Sequence, residues 1–288
     1  MCNACSAFNL NATISPLNLQ QKIQQGRYLP ELDGLRGIAI LLVIGYHYFP
    51  QWSITTFGWS GVDLFFVLSG FLISSRIIPY LENKNWRIQF YRNRFLRIAP
   101  LYFAFLLVFF IGWFLFTSDA TREAVPFYQE HGWTFFLFIQ NWSFILHATE
   151  LKTHLAHLWS IAIEEQFYLV FPFLLVWLKK RKSAIVYAIL LVLLIMVSRS
   201  YYYGWILQNQ DFDKVYWIPF FRLDAFIIGY LLYHFITVFH DSKKAVLLFR
   251  IVSILSLTAT AMAIVIGNSA GMYNPYFGHA GLTAVAIL

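Results

Sequence analysis

Arg36 and His47 are ionisable residues in one apolar segment, and their spacing places them on the same face of a helix. Eleven residues at about 100° each leave the two side chains about 20° apart around the axis and about 16 Å apart along it. If this helix crosses a membrane, both residues are candidates for function because ionisable groups are costly there. Two structural alternatives stay open: Arg36 can snorkel to an interface, and His47 can be a hydrogen-bonded interfacial residue.

Five further ionisable residues lie in later apolar segments, at a depth that we expect to be comparable with that of His47. They are Asp63, Glu164, Glu165, Arg222 and Asp224. Arg222 and Asp224 are two positions apart, so they face different sides of a helix and each needs a partner elsewhere. A structural salt-bridge network is the alternative to a functional site at this depth.

Arg94 and Arg97 form a second cationic feature, in the link between two apolar segments. At positions i and i+3 they share a helical face, and two guanidinium groups are suited to binding phosphates. Basic residues on the cytoplasmic side that contact anionic lipid headgroups are the alternative. A phosphorylated carrier with a long thin arm would fit a path from these arginines past Arg36 to His47.

The composition requires a membrane around these residues. The chain has 288 residues, of which 59% are hydrophobic, 20% aromatic and 12% charged, and its formal net charge is +7. Soluble domains carry about 25% charged residues. A cytosolic globular enzyme, a disordered chain and a nucleic-acid-binding domain are therefore excluded, and the long apolar stretches indicate a polytopic helical membrane protein.

The apolar segments predict an all-α transmembrane bundle of about eight to nine membrane helices. They run over 35–49, 62–78, 98–116, 133–146, 158–178, 184–197, 217–239, 247–266 and 276–288. The last run is shorter than the about 20 residues that a spanning helix needs, so we expect the membrane domain, 35–288, to be incomplete at its C-terminus.

Basic links predict the orientation of the bundle, since Lys and Arg stay in the cytoplasm. The polar N-terminal segment 1–34 and the basic links at 79–97, 179–182 and 243–244 are assigned to the cytoplasm, and the uncharged links at 50–61 and 267–275 to the outside. The links fall on these sides of the membrane only if the segment 133–146 does not cross it. We therefore expect 133–146 to be re-entrant or interfacial, with Asn141 facing protein or water.

Two cysteines, Cys2 and Cys5, form a C-x-x-C pair at the N-terminus. Zinc needs more ligands than these two residues supply, and no further ligand lies nearby in the sequence. We therefore expect no metal.

Five motifs occur in an order that resembles the acyltransferase 3 family of integral membrane O-acyltransferases, which modify cell-surface polysaccharides, O-antigen and peptidoglycan. They are L-P-E-L-D-G-L-R-G-I-A with Arg36 ahead of His47, W-S-G-V-D-L-F-F-V-L-S-G-F-L-I-S from Trp59, R-F-L-R-I-A-P-L-Y from Arg94, H-L-W-S-I-A-I-E-E-Q-F-Y-L from His157 and F-R-L-D-A-F-I-I-G from Phe221. Any one motif is weak, but five in order over about 27–230 are specific.

The resemblance implies an O-acetyltransferase in the bacterial cytoplasmic membrane. Its donor would be acetyl-CoA or another acyl-CoA from the cytoplasm, and its acceptor a hydroxyl of a glycan or lipid-linked glycan. Many relatives carry an extracytoplasmic hydrolase-like domain, for which this chain has no room, so we expect it to act alone, to act with a separate partner or to be truncated. The resemblance also implies a catalytic role for His47 with Arg36, and donor binding by Arg94 and Arg97.

Acyl transfer to an alcohol needs a general base and stabilisation of an oxyanion, which suggests further roles. We expect His47 to act as the base, with Asp63 or Glu164 holding its tautomer. Arg222 is a candidate for oxyanion stabilisation, and with Asp224 and Glu165 for binding the acceptor. The alternative is a transporter or flippase that relays protons through buried His, Asp and Glu, which leaves the order of the motifs unexplained.

Overall fold

The computed structural model describes residues 29–49, 51–52, 55–116, 124–147, 154–208, 212–239, 242–267 and 273–287. Every regular element in these ranges is helical, which confirms the predicted all-α fold. The helices are α1 (Pro30–Tyr48), α2 (Gly61–Ile77), α3 (Trp86–Phe116), α4 (Val125–His131), α5 (Trp133–Phe136), α6 (Gln140–Leu146), α7 (Trp159–Lys179), α8 (Ala184–Tyr201), α9 (Phe212–Trp217), α10 (Leu223–His234), α11 (Lys243–Ile266) and α12 (Leu282–Ile287).

Six helical segments are long and apolar enough to cross a membrane. They are Gly58–Tyr80, Trp86–Phe116, Ala156–Lys179, Ala184–Ile206, Pro219–Val238 and Lys243–Ile266. Helix α1 has 19 residues, but Glu31, Asp33 and Arg36 lie among them, so it is more polar than these six. The chain is thus a multi-pass membrane protein. Six such helices are found within the described ranges, so the predicted count of eight to nine is not confirmed.

The segment 133–146 forms two short helices, as expected of a segment that does not span. Helices α5 and α6 have 4 and 7 residues, far fewer than the about 20 that a spanning helix needs. Asn141 is fully buried, and its amide donates to the carbonyl of Trp217 at 3.2 Å and accepts from Gln166 at 2.8 Å. These bonds to α9 and α7 explain how a polar residue is accommodated there.

Helices α2 and α10 approach each other closely at two glycines. A methyl group at Gly70 would collide with the backbone of Phe226, and one at Gly229 would collide with the backbone of Val67. Small residues at such contacts let membrane helices pack tightly without a hydrophobic driving force. This pair of helices is the centre of the bundle.

Helix α1 lies against the start of α2 through a second pair of glycines. A methyl group at Gly58 would collide with the carbonyl of Leu42, and one at Gly61 with that of Ala39. The outer surface of α1 stays exposed, with Leu41 68% accessible. The helix that carries Arg36 and His47 is therefore docked on the bundle by one side only.

The basic stretch before Ile98 is helical, which corrects the predicted link at 79–97. Helix α3 begins at Trp86 and continues for 31 residues through Pro100. Arginine is a good helix former, and its long stem can follow an apolar surface, so the apolar pattern missed the first turns. Arg94 consequently lies about 12 Å inside the helix, rather than in a loop before it.

We predict that Gly70→Ala lowers the thermal stability of the detergent-purified protein, because the added methyl group has to push α2 and α10 apart. Overpacking of this kind costs about 1–3 kcal/mol. The matched control is Gly112→Ala in α3, where a methyl group meets nothing within 4 Å. Equal melting temperatures for the two variants would contradict the close contact.

Candidate active site

Arg36 and His47 lie at opposite ends of α1 and differ in their surroundings. Arg36 is 5% exposed, sits over the ring of Phe65 and has its nearest carboxylate, that of Asp33, at 3.9 Å. His47, in contrast, is exposed. It lies near the C-terminal end of a helix whose outer side no other described element covers.

The hydrogen bond of His47 assigns its tautomer. Its Nδ1 lies 2.9 Å from the carbonyl oxygen of Val43, one turn earlier in α1. A carbonyl only accepts, so Nδ1 carries the proton and Nε2 of the neutral ring has a free lone pair. The backbone of α1 therefore fixes the orientation of this imidazole and leaves Nε2 as its unprotonated nitrogen.

Asp63 or Glu164 was expected to hold the ring of His47, but neither carboxylate is bonded to it. Asp63 is bonded to Arg222 at 2.6 Å, and Glu164 accepts from Ser69 at 2.7 Å and from Tyr168. Both carboxylates are buried in the bundle, while His47 is on its outside. That expected interaction is wrong, and the catalytic roles of the two carboxylates stay predictions.

A chain of polar contacts joins α3, α7 and α2. Arg94 donates to the hydroxyl of Tyr168 at 3.3 Å, and its guanidinium also lies 4.7 Å from the centroid of the tyrosine ring. The same hydroxyl donates to Glu164, whose Oε1 also accepts from Ser69. Tyr168 is thus the link between an arginine of α3 and a carboxylate of α7.

Three arginines from two helices come together beside this chain. Arg36 of α1 is close enough to Arg94, Arg97 and Glu164 to interact with each of them electrostatically. From the apolar segments, the α3 arginines and Glu164 were expected at different depths. They meet because Arg94 is well inside α3 and because α7 runs antiparallel to that helix, with Tyr91 bonded to the carbonyl of Leu169.

His157 is a neighbour of His47 that was not among the predicted site residues. The two rings are close enough for their charges to interact, and His157 also hydrogen-bonds to the backbone of His154. It precedes Glu164 by seven residues, about 10 Å along the helix. Its place in the motif H-L-W-S was the available signal. The structure thus has an arginine end and a histidine end.

Arg222 and Asp63 form a buried ion pair between α2 and the turn that precedes α10. Their Nη2 and Oδ1 atoms are 2.6 Å apart, and both side chains are almost inaccessible. The guanidinium of Arg222 also lies 4.5 Å from the centroid of the Tyr216 ring. Arg222 thus has the partner on another helix that its position required, and this pairing favours a structural role.

Asp224 is paired with Arg199, a residue that the sequence analysis missed. Arg199 is fully buried and donates to Asp224 at 2.9 Å, to Thr283 at 2.5 Å and to two backbone carbonyls. The predicted apolar segment ended at Val197, two residues before it. A charged residue two positions after a long apolar segment was the available signal, because such a residue can still be buried among the helices.

The candidate site holds no recognisable set of metal ligands in the part of the chain that is described. Groups of three or more His, Cys, Asp or Glu side chains arranged for a metal do not occur there. Cys2 and Cys5 lie outside the described residues, as does most of the predicted N-terminal segment 1–34.

The fold and the site define a multi-pass helical membrane protein with an arginine cluster and two neighbouring histidines on three adjoining helices. A family model described as an acyltransferase domain matches residues 29–288. The chain therefore belongs to the acyltransferase 3 family, and the resemblance seen in its motifs is confirmed. No solved structure matches the chain.

Curated relatives are similar over part of their length. The peptidoglycan O-acetyltransferase OatA of Listeria monocytogenes is 37% identical over 166 residues, which are 54% of this chain and 26% of the relative. The O-acetyltransferase OatA of Staphylococcus aureus is 32% identical over 221 residues, 74% of this chain and 35% of the relative. The chain thus spans about a third or less of the length of these relatives.

We predict that Arg222→Met strongly destabilises the protein, because it leaves the charge of Asp63 buried without a partner. Breaking a buried pair costs about 3–5 kcal/mol, whereas replacing both partners by apolar residues is often neutral. The double variant Asp63→Leu/Arg222→Met should therefore be more stable than the single variant in chemical unfolding experiments in detergent. Arg92→Met, at an exposed position, is the control. A double variant less stable than Arg222→Met would show that the pair is not the source of the cost.

Proposed function

We propose that this protein is an O-acetyltransferase of the bacterial cytoplasmic membrane that moves an acetyl group from acetyl-CoA to a hydroxyl of a cell-wall glycan. The observation that supports acetyl-CoA as the donor is the arginine cluster of Arg36, Arg94 and Arg97. The glycan acceptor is supported by the relatives, since the one from Listeria monocytogenes is named a peptidoglycan O-acetyltransferase.

The arginines of the cluster differ from the structural arginines in how they are paired. Arg199 and Arg222 each contact a buried aspartate, at 2.9 and 2.6 Å. Within the described ranges, the shortest contact of the cluster with a carboxylate is that from Arg36 to Asp33, at 3.9 Å. Guanidinium groups without a close carboxylate are available for phosphates, which they bind through parallel charge-assisted hydrogen bonds. Coenzyme A carries such phosphates.

The distance between the two ends of the site suits a donor with a long arm. Arg36 and His47 are about 16 Å apart by helical rise, which is comparable with the length of a pantetheine arm. With its phosphates on the arginines, coenzyme A would bring its thioester toward His47. The acceptor would enter at the histidine end.

His47 supplies the proton transfer in this proposal. Its Nε2 takes the proton of the acceptor hydroxyl as the oxygen attacks the thioester carbonyl, and the carbon–sulfur bond then breaks. The coenzyme A thiolate leaves and receives a proton in turn. His157 is close enough to influence the charge on His47. Arg222 and Asp224, which the sequence suggested for the acceptor, are engaged in buried pairs, so we assign them to the scaffold.

Pairing of the buried charges disfavours the transporter alternative. A proton relay needs carboxylates that can load and release protons, whereas Asp63 and Asp224 are each bonded to an arginine. Purified protein in detergent should release coenzyme A from acetyl-CoA when a glycan acceptor is present. Transport of a substrate in liposomes without any consumption of thioester would contradict the proposed function.

We predict that His47→Ala abolishes acetyl transfer while the protein still folds, because the exposed ring contributes little to packing. Loss of general-base catalysis should lower kcat by about 10²–10⁴-fold. Transfer of labelled acetyl from acetyl-CoA to cell-wall fragments is the measurement. His131→Ala, at a histidine on the separate helix α4, is the matched control. Near-normal turnover of a folded His47→Ala protein would exclude His47 as the base.

We predict that Arg94→Ala raises the KM for acetyl-CoA and leaves the KM for the glycan unchanged, since it removes one phosphate contact worth about 1.5–3 kcal/mol. Tyr168→Phe should also raise the KM for acetyl-CoA, but by less, because it removes the hydroxyl that holds Arg94 in place. The control is Arg92→Ala, an exposed arginine two positions away. A defect that appears only when the glycan is varied would show that Arg94 does not bind the donor.

A further inference from the structure

Glu164 and Glu165 are adjacent carboxylates in α7 with different environments. Glu164 is 6% exposed and accepts hydrogen bonds from Ser69 and Tyr168. Glu165 is half-buried, and its Oε1 is closed off from solvent without a hydrogen-bond partner among the described residues. A buried carboxylate oxygen that lacks a donor is costly, so a ligand that supplies one would be favoured there.

Glu165 lies between the arginine end and the histidine end of the site. It is close enough to Arg94 to interact with it electrostatically, and Tyr102, two turns further along α3, is within the same range. Along α7 it is three residues from Tyr168, which holds Arg94, and eight residues, about 12 Å, from His157. Its position along α7 is therefore between Tyr168, which contacts Arg94, and His157 at the histidine end.

We propose that Glu165 accepts a hydrogen bond from an amide N–H of the pantetheine arm of coenzyme A. The inference rests on the proposed function, and it assigns the carboxylate to the donor rather than to the acceptor glycan. An arm that crosses a bundle of low polarity has to bring its amide N–H groups out of water, and each then needs an acceptor. The free Oε1 of Glu165 is such an acceptor at an intermediate position.

The test compares two ligands, coenzyme A and 3′-phosphoadenosine 5′-diphosphate, which has the phosphates but not the arm. Their binding to the detergent-purified protein is measured by isothermal titration calorimetry. Glu165→Met should weaken the binding of coenzyme A by about tenfold or more, as expected for the loss of a hydrogen bond to a charged group. It should leave the binding of 3′-phosphoadenosine 5′-diphosphate equal or slightly tighter, because a negative charge near the phosphates is removed.

Two matched variants make the assignment specific. Arg94→Ala should weaken the binding of both ligands, since both carry the phosphates. Glu165→Gln keeps an acceptor oxygen without the charge, so it should lose less affinity for coenzyme A than Glu165→Met does. Size-exclusion chromatography and the melting temperature show whether each variant is folded, and Glu165→Gln keeps the test decisive if Glu165→Met does not fold.

Three results would overturn the inference. Tighter binding of both ligands to Glu165→Met would mean that the carboxylate only repels phosphates. Equal weakening of both ligands would place Glu165 at the phosphates. Unchanged binding of both would remove it from the donor site. If the unmodified protein binds neither ligand, the proposed function itself fails, which is distinguishable from these outcomes.

Discussion

A charge buried in a membrane bundle has to be neutralised by the protein itself, and this constraint determines how the central helices meet. Asp63 of α2 is paired with Arg222 at the start of α10, and Asp224 of α10 with Arg199 of α8. These pairs cross-link three helices, two of which, α2 and α10, also touch through their backbones at Gly70 and Gly229. Loss of either pair would leave a charge with no route to water, so the arrangement of these helices is strongly determined.

The proposed donor site is built beside this scaffold, and its arginines are paired differently. In the scaffold, arginine and aspartate satisfy each other and leave little capacity for a ligand. In the cluster of Arg36, Arg94 and Arg97, the guanidinium of Arg36 lies over an aromatic ring and that of Arg94 donates to the Tyr168 hydroxyl. Close carboxylates would compete with phosphates for these donors. The distance to the nearest carboxylate, 2.9 and 2.6 Å in the scaffold and 3.9 Å at Arg36, therefore separates the structural arginines from those proposed to bind the donor.

The two ends of the site are connected along two helices, α1 and α7, whose chains run in opposite directions between them. On α1 the path leads from Arg36 to His47, and on α7 from Glu164 to His157. Helical rise alone gives both paths a length of the order of 10–16 Å. Because these distances are set by regular helices, the separation between the proposed phosphate contacts and the proposed base is fixed by rigid elements. In the proposed function, such a separation would suit a donor whose arm has the matching length.

The sequence by itself determined the helical membrane fold, the face shared by Arg36 and His47, and the need of Arg222 and Asp224 for partners on other helices. Composition and helical periodicity are local properties of the chain, so they can be inferred from the sequence alone. Only the tertiary structure decided which partners these are, that Arg94 lies inside a helix beside Glu164, and that Arg199 belongs to the charge network. A backbone carbonyl of its own helix, rather than a carboxylate, orients His47. Pairing depends on the depth and rotation of each helix against the others, and apolar patterns of single segments contain no such information.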